Sequence, residues 1–381
     1  MLQIGAMRLF AQLSSLLVIL VLRDISVDSV GLYAIAISVL SMLSAFLTYE
    51  GTFLVISRNC KPSRFFANLK VNRIIWLVSL LCFFMYQGLR PEIVVCVLGF
   101  LVALDCDYLV NVMTMGKRVF GDDSAFKRWL RVKICVTELL IPACSAAAIY
   151  YGHFIVLGVI YCSVILIFNV LLVMVAAKKS KRQRWKAALP DLRGVTMATF
   201  KRGDSQIYRL LIGSVFGAAT LGQMYPALVV GRAGSILGNV WYSWYFKEVD
   251  GVRRASSLVW RYKVPILISV VCIATVYSFI AQAVFIVVVD WDVSPFIFAI
   301  FFIINVQFFF KTFLRSLAIN ARETNYYSLA LLLSIIVRLV GILVFWETMQ
   351  IWLAVCVLID FIVFLWFQNS LSERIRETRH D

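Results

Sequence analysis

The stretch Lys178-Lys179-Ser180-Lys181-Arg182-Gln183-Arg184-Trp185-Lys186, continued by Arg193, Lys201 and Arg202, decides how this chain reads. It is the densest basic cluster in a 381-residue sequence that is 62% hydrophobic, and it lies close to the midpoint. Long apolar segments flank it on both sides. Basic segments between apolar spans stay on the cytoplasmic face of a membrane. Residues 178–202 therefore read as a cytoplasmic linker between an N-terminal half, 1–177, and a C-terminal half, 203–381.

Composition supports a membrane setting. Only 15% of the residues are charged, and a mean hydropathy of +0.88 is far from that of a domain with a polar surface. The net charge of +16 comes from Lys and Arg in short loops, which points to lipid headgroups as their neighbours and away from nucleic acid. The nine cysteines are scattered, most of them inside apolar spans, with no CxxC and no His spacing, so they read as small core side chains. No metal site and no cofactor motif is present in the sequence. The first apolar run lacks a small-residue cleavage site and reads as a retained span.

A spanning helix needs about 20 apolar residues. Twelve stretches meet this loosely: 4–22, 30–56, 74–89, 92–115, 132–151 and 154–177 before the linker, then 204–216, which Lys201, Arg202, Asp204 and Arg209 interrupt, 218–246, 264–289, 294–319, 326–346 and 350–367. Loop charge tests that count independently. Lys and Arg gather in every second loop, while Arg23, Arg90, His153, Asp290, Asp292 and Glu347 are nearly all that the intervening loops hold. The alternation survives all twelve spans and places both termini in the cytoplasm. Six spans on each side of the linker, both sets starting inside, predict an all-α membrane protein of two six-helix lobes related as a parallel pseudo-repeat.

Ionisable residues inside spans are the candidates for function, because each is costly to place in hydrocarbon. Arg8 lies near the inner end of span one, where it could instead snorkel to headgroups. Arg232 is near the middle of span eight and needs a partner or a wet cavity. Arg209 lies on the polar face of span seven, five residues after Asp204, so a local ion pair competes with a substrate contact. Lys311 and Arg315, one turn apart near the inner end of span ten, suit lipid phosphate or the inner mouth. Glu50, Asp105 and Asp107 are acidic candidates for ion coupling. Glu138, Arg338 and Asp360 read as charges neutralised within their own halves. Span eight also holds Pro226 and the GxxxG pair Gly234 and Gly238, which permit a bend and close helix packing. The sequence has no Walker motif, no HExxH, too few histidines for a Ser-His-Asp set and no large soluble loop, which argues for transport over an enzyme.

The opening Arg8 to Leu22, then Val30-Gly31-Leu32-Tyr33-Ala34-Ile35-Ala36 and Glu50-Gly51 ahead of a basic loop, resembles the start of bacterial polysaccharide flippases of the Wzx type. Leu221-Gly222-Gln223-Met224-Tyr225 resembles the start of their second half. The resemblance implies the multidrug/oligosaccharidyl-lipid/polysaccharide exporter superfamily, with a MATE-like V of two lobes around a central cavity. It further implies a flippase that carries an undecaprenyl-pyrophosphate-linked oligosaccharide, such as an O-antigen repeat unit, across the bacterial cytoplasmic (inner) membrane. Arg8, Arg209, Arg232, Lys311 and Arg315 would be the cavity cations, and no cofactor is implied. Membrane lipids would be partners, and a polysaccharide polymerase and chain-length machinery could be. Related lipid II flippases use arginines on their first, second and eighth helices; this chain offers Arg8 and Arg232 but has Glu50 and no basic residue on span two. The competing readings are a MATE-type cation or drug antiporter, disfavoured by Arg8 where such exporters carry an acid, and a membrane-embedded polymerase or transferase.

Overall fold

The computed structural model describes residues 16–48, 192–235, 263–320 and 324–377, together with 78, 131, 134, 135, 143, 146 and 150. Spans three to six, Arg8, Glu50, Asp105, Asp107, Glu138 and Gly238 lie outside the described residues, apart from those isolated positions. The described elements are all helical. Residues 16–25 are followed by α1 (Val27–Thr48), α2 (Leu192–Leu211), α3 (Ala218–Val230), α4 (Lys263–Val289), α5 (Pro295–Asn320), α6 (Thr324–Val344) and α7 (Met349–Glu377). Leu267–Val289, Asn325–Val344 and Met349–Leu371 are long and apolar enough to cross a membrane, so the chain is a multi-pass membrane protein.

These helices follow the expected spans with three differences, one being that α7 continues past residue 367 to Glu377. The helix expected from residue 204 starts at Leu192, inside the predicted linker, and passes into a π-helical turn, Ile212–Phe216, before α3. Span eight reads as one apolar run to residue 246; α3 ends at Val230, the chain turns at Gly231 and Arg232, helix resumes over 233–235, and 236–246 lie outside the described residues. Elsewhere the local chemistry sets the ends. Ser26 Oγ accepts from the Ser29 backbone N–H at 3.0 Å and caps α1, with Asp28 in the first turn. Pro295 occupies the first position of α5, where a missing N–H costs nothing.

The described residues fall into two compact units. One comprises the described parts of Arg23–Ala36 and Gly203–Asp381; the other holds the described parts of Leu13–Leu22 and Ile37–Arg202. In the first unit α5 is central and packs on α3, α4, α6 and α7. Its Phe298, Phe301 and Phe302 are buried, whereas α4 leaves much of its apolar surface exposed, including Ile268, Val276 and Ile280. An exposed apolar surface on a helix of this length is what a lipid-facing helix presents.

The start of α1 crosses the start of α3 through two glycines. A Cβ on Gly31 would land on the backbone carbonyl of Ala218, and a Cβ on Gly222 would land on that of Val27. Each glycine thus faces the residue four before the other, a reciprocal contact that only two bare helix surfaces can make. Val30 and Leu221, each preceding its glycine, are both fully buried. Arg23 adds a second tie. Its guanidinium donates to the carbonyls of Val289 and Asp290, the latter at 2.6 Å, and lies 4.9 Å from the ring centre of Trp291. It thereby serves the last carbonyls of α4, and joins two loops that the charge alternation expects on one face. Gly31→Ala is expected to destabilise the protein by about 1–3 kcal/mol through overpacking. Ala219→Leu, at an exposed position beside the same contact, should change stability by no more than about 0.5 kcal/mol; thermal unfolding of the purified protein in detergent distinguishes the two.

Candidate functional site

Two charged clusters lie among the described residues of this unit, and they differ in how their charge is answered. The first joins four helices. Asp204 on α2, Lys311 on α5, Arg338 on α6 and Asp360 on α7 are at most 3% exposed. Lys311 Nζ donates to Asp204 Oδ1 at 2.7 Å and Oδ2 at 2.9 Å, and lies 3.2 Å from Ser334 Oγ and 3.4 Å from Asp360 Oδ2. The Arg338 guanidinium pairs with Asp360, bonds the Asp204 side chain at 2.9 Å and donates to the Asp204 backbone carbonyl at 2.8 Å. Ser334 Oγ sits 2.9 Å from Asp204 Oδ1 and 2.6 Å from Asp360 Oδ1, bridging the two acids. The Tyr208 ring lies 4.2 Å under Arg338, and Trp352 Nε1 donates to the Arg338 carbonyl at 3.1 Å. Two acids and two bases leave the quartet neutral, and each charge is met by several hydrogen bonds, the condition under which buried ion pairs are tolerated.

The second cluster starts one turn further along α2. Tyr208 turns to Arg338, while its neighbour Arg209 turns the other way. Arg209 is 7% exposed, its Nη1 donates to Gln206 Oε1 at 3.1 Å, and its guanidinium lies 5.6 Å from the Tyr225 ring centre on α3. Tyr225 meets Tyr33 of α1 edge-on, with ring centres 6.4 Å apart. Arg209 Nε is buried and has no hydrogen-bond partner among the described residues. Arg232, half-buried on the turn that ends α3, is close enough for the two cations to repel each other. Among the described residues no carboxylate bonds either arginine. A cation–π contact and one amide orient Arg209, and among the described residues neither carries a charge that neutralises it.

The structure thus brings two of the five predicted cavity cations, Arg209 and Arg232, into one electrostatic neighbourhood. Lys311 sits apart from them in the neutral quartet, and Arg315 follows it one turn later on α5, half-buried. Asp204 pairs with Lys311 and Arg338, not with its sequence neighbour Arg209. Arg338 and Asp360 are each other's partners, as charges neutralised within one half. Close packing of α3 uses Gly231 and Gly234, which lie against the backbone of Phe301 and Phe302 on α5. Sequence reasoning overlooked Ser334, Tyr208 and Trp352. Ser334 precedes Arg338 by four residues in an apolar helix, hence on the same face, and that spacing was its available signal. Among the described residues no three His, Cys, Asp or Glu side chains gather as a metal site.

No protein-family model matches this sequence, and no curated protein does. A solved multidrug resistance transporter of the MATE family, of the MOP superfamily and in an inward-facing conformation, is similar over 98% of this chain and 95% of its own. The identity is 12% and the TM-score 0.48. A likeness that loose carries neither fold nor function across.

The quartet yields a stability expectation. Lys311→Met leaves two buried carboxylates facing one guanidinium and is expected to cost about 3–5 kcal/mol. Adding Asp204→Asn restores neutrality and should recover part of that loss, which detergent-denaturant unfolding of the single and double variants measures.

Proposed function

We propose that this protein is a flippase that moves an undecaprenyl-pyrophosphate-linked oligosaccharide from the cytoplasmic to the periplasmic leaflet by alternating access, using a cationic site that includes Arg209 and Arg232. The observation that carries this reading is the contrast between the two clusters. Lys311 and Arg338 are answered by Asp204 and Asp360, while no carboxylate bonds Arg209 or Arg232 among the described residues. Cations left without acids inside a membrane protein call for water or an anion. A pyrophosphate suits them, because guanidinium groups grip phosphate oxygens in a bidentate fashion that offsets desolvation.

The local resemblance at Gly31 and Gly222 to Wzx-type flippases supports the same class of substrate. On this reading the sugars cross in a hydrated cavity between two six-helix lobes, the polyprenyl tail stays in lipid, and both termini remain cytoplasmic. Arg8 and Arg315 extend the cationic path, with Glu50, Asp105 and Asp107 as ion-coupling sites for return of the empty carrier, while Lys311 stays neutralised in the quartet.

The test is transbilayer movement of a labelled undecaprenyl-pyrophosphate oligosaccharide in proteoliposomes, read with a membrane-impermeant sugar probe. Arg209→Ala and Arg232→Ala are each expected to slow exposure of the sugar by roughly 10- to 100-fold, the range for one lost hydrogen bond to a charged group. Absence of movement by the wild type, with gradient-driven efflux of an organic cation instead, would overturn the proposal in favour of a drug antiporter.

A further inference from the structure

The interruption at the end of α3 has a defined hydrogen-bond pattern. Gly231 N donates to Ala227 O at 2.8 Å in the ordinary α register. The bonds then tighten: Arg232 N donates to Val229 O at 3.2 Å, Gly234 N to Gly231 O at 3.0 Å and Ser235 N to Arg232 O at 2.9 Å. Each of these spans three residues where an α-helix spans four. Gly234 N therefore no longer serves Val230 O, its α-helical acceptor. An unserved carbonyl in a membrane interior is costly, and the structure supplies a substitute from another helix. The Tyr277 hydroxyl on α4 donates to Val230 O at 2.8 Å.

The surrounding residues account for the opening. Pro226, inside α3, has no N–H for the carbonyl of Gly222, which removes one helical hydrogen bond two turns or less before the opening. Gly231 and Gly234 hold the loosened turn against the α5 backbone at Phe301 and Phe302. The Tyr277 ring packs 4.9 Å from that of Phe302, so its hydroxyl is aimed by a contact with the same part of α5. Arg232 is on the opened turn itself, and its carbonyl takes a second bond from Ser235 Oγ at 2.7 Å.

We infer that Tyr277 is a positioning residue for the anion site: by holding Val230 O it keeps the end of α3 open, and the open turn sets where the Arg232 guanidinium is presented. Without the hydroxyl, Gly234 N and Val230 O are free to rejoin in an α-helical bond, which rotates Arg232 about the helix axis. The assignment rests on the reading of Arg232 as a contact for the pyrophosphate. The hold of Tyr277 on the turn stands apart from that reading.

The experiment uses the full chain in lipid nanodiscs with Tyr277→Phe, Arg232→Ala and the double variant, inorganic pyrophosphate being the probe. Calorimetry is expected to show Tyr277→Phe binding roughly tenfold more weakly than wild type, with thermal stability preserved because the ring still packs on Phe302. The double variant should bind no more weakly than Arg232→Ala alone, since Tyr277 acts through that side chain. Hydrogen exchange of the 228–236 peptide, without ligand, should slow in Tyr277→Phe as the α register re-forms. Unchanged or faster exchange, or losses that multiply in the double variant, overturns the inference. Wild-type affinity in Arg232→Ala together with slowed exchange in Tyr277→Phe would overturn the pyrophosphate reading of Arg232 and uphold the hold on the turn.

Discussion

A charge removed from water must be neutralised, wetted or bound to something that replaces water, and in this protein the first solution is built from four helices at once. Lys311 and Arg338 could not be buried without Asp204 and Asp360, and none of the four could be assembled unless α2, α5, α6 and α7 met at one level. The requirement runs in both directions. Apolar packing brings the helices together without directional preference, and the ion pairs admit only the arrangement in which every carboxylate oxygen meets a donor. Ser334 makes that arrangement stricter, because its single hydroxyl bridges both acids. The buried aromatic rings of Tyr208 and Trp352 then close the quartet against lipid and water.

The neutral quartet also gives Arg209 its meaning. Only five residues separate it from Asp204 in the sequence, and a local ion pair would have been the cheapest way to bury it. Asp204 is instead committed to partners more than 100 positions away, so Arg209 is held by Gln206 and Tyr225, which orient a guanidinium but carry no opposing charge. Two arginines within reach of each other's field, one of them almost fully buried, form an arrangement that an isolated protein would gain by avoiding. A nearby counter-charge relieves that repulsion.

Hydropathy made most of the helices legible because a span is a local property: α4, α5 and α6 begin and end within a few residues of the stretches read from apolar length and loop charge, and α7 begins so but continues past residue 367 to Glu377. Pairing is not local. Lys311 near one end of an apolar run reads as a headgroup contact, and nothing within twenty residues of it indicates an acid on α2. The break in α3 is an intermediate case. Pro226, Gly231 and Gly234 are visible in the sequence, but so uniformly apolar a run reads as continuous, and whether such residues bend or open a helix depends on the α5 backbone they meet. The likeness of the Gly31 and Gly222 segments is weak in letters and clear in space, because only the glycines and the buried residues before them take part in the crossing.

The opened turn and the unneutralised arginine are consequences of one constraint. Backbone that is not helical survives at membrane depth only where protein covers it or water reaches it. Gly231 and Gly234 press one side of the turn onto α5, and Tyr277 satisfies the carbonyl that the α-helix abandons. That leaves the side bearing Arg232, which is half-buried and has no acid bonded to it among the described residues. A turn that faced lipid there would expose its backbone together with a charge, two costs of the same sign. Water or protein on that side relieves both, so the break in α3 and the surroundings of Arg232 are set together.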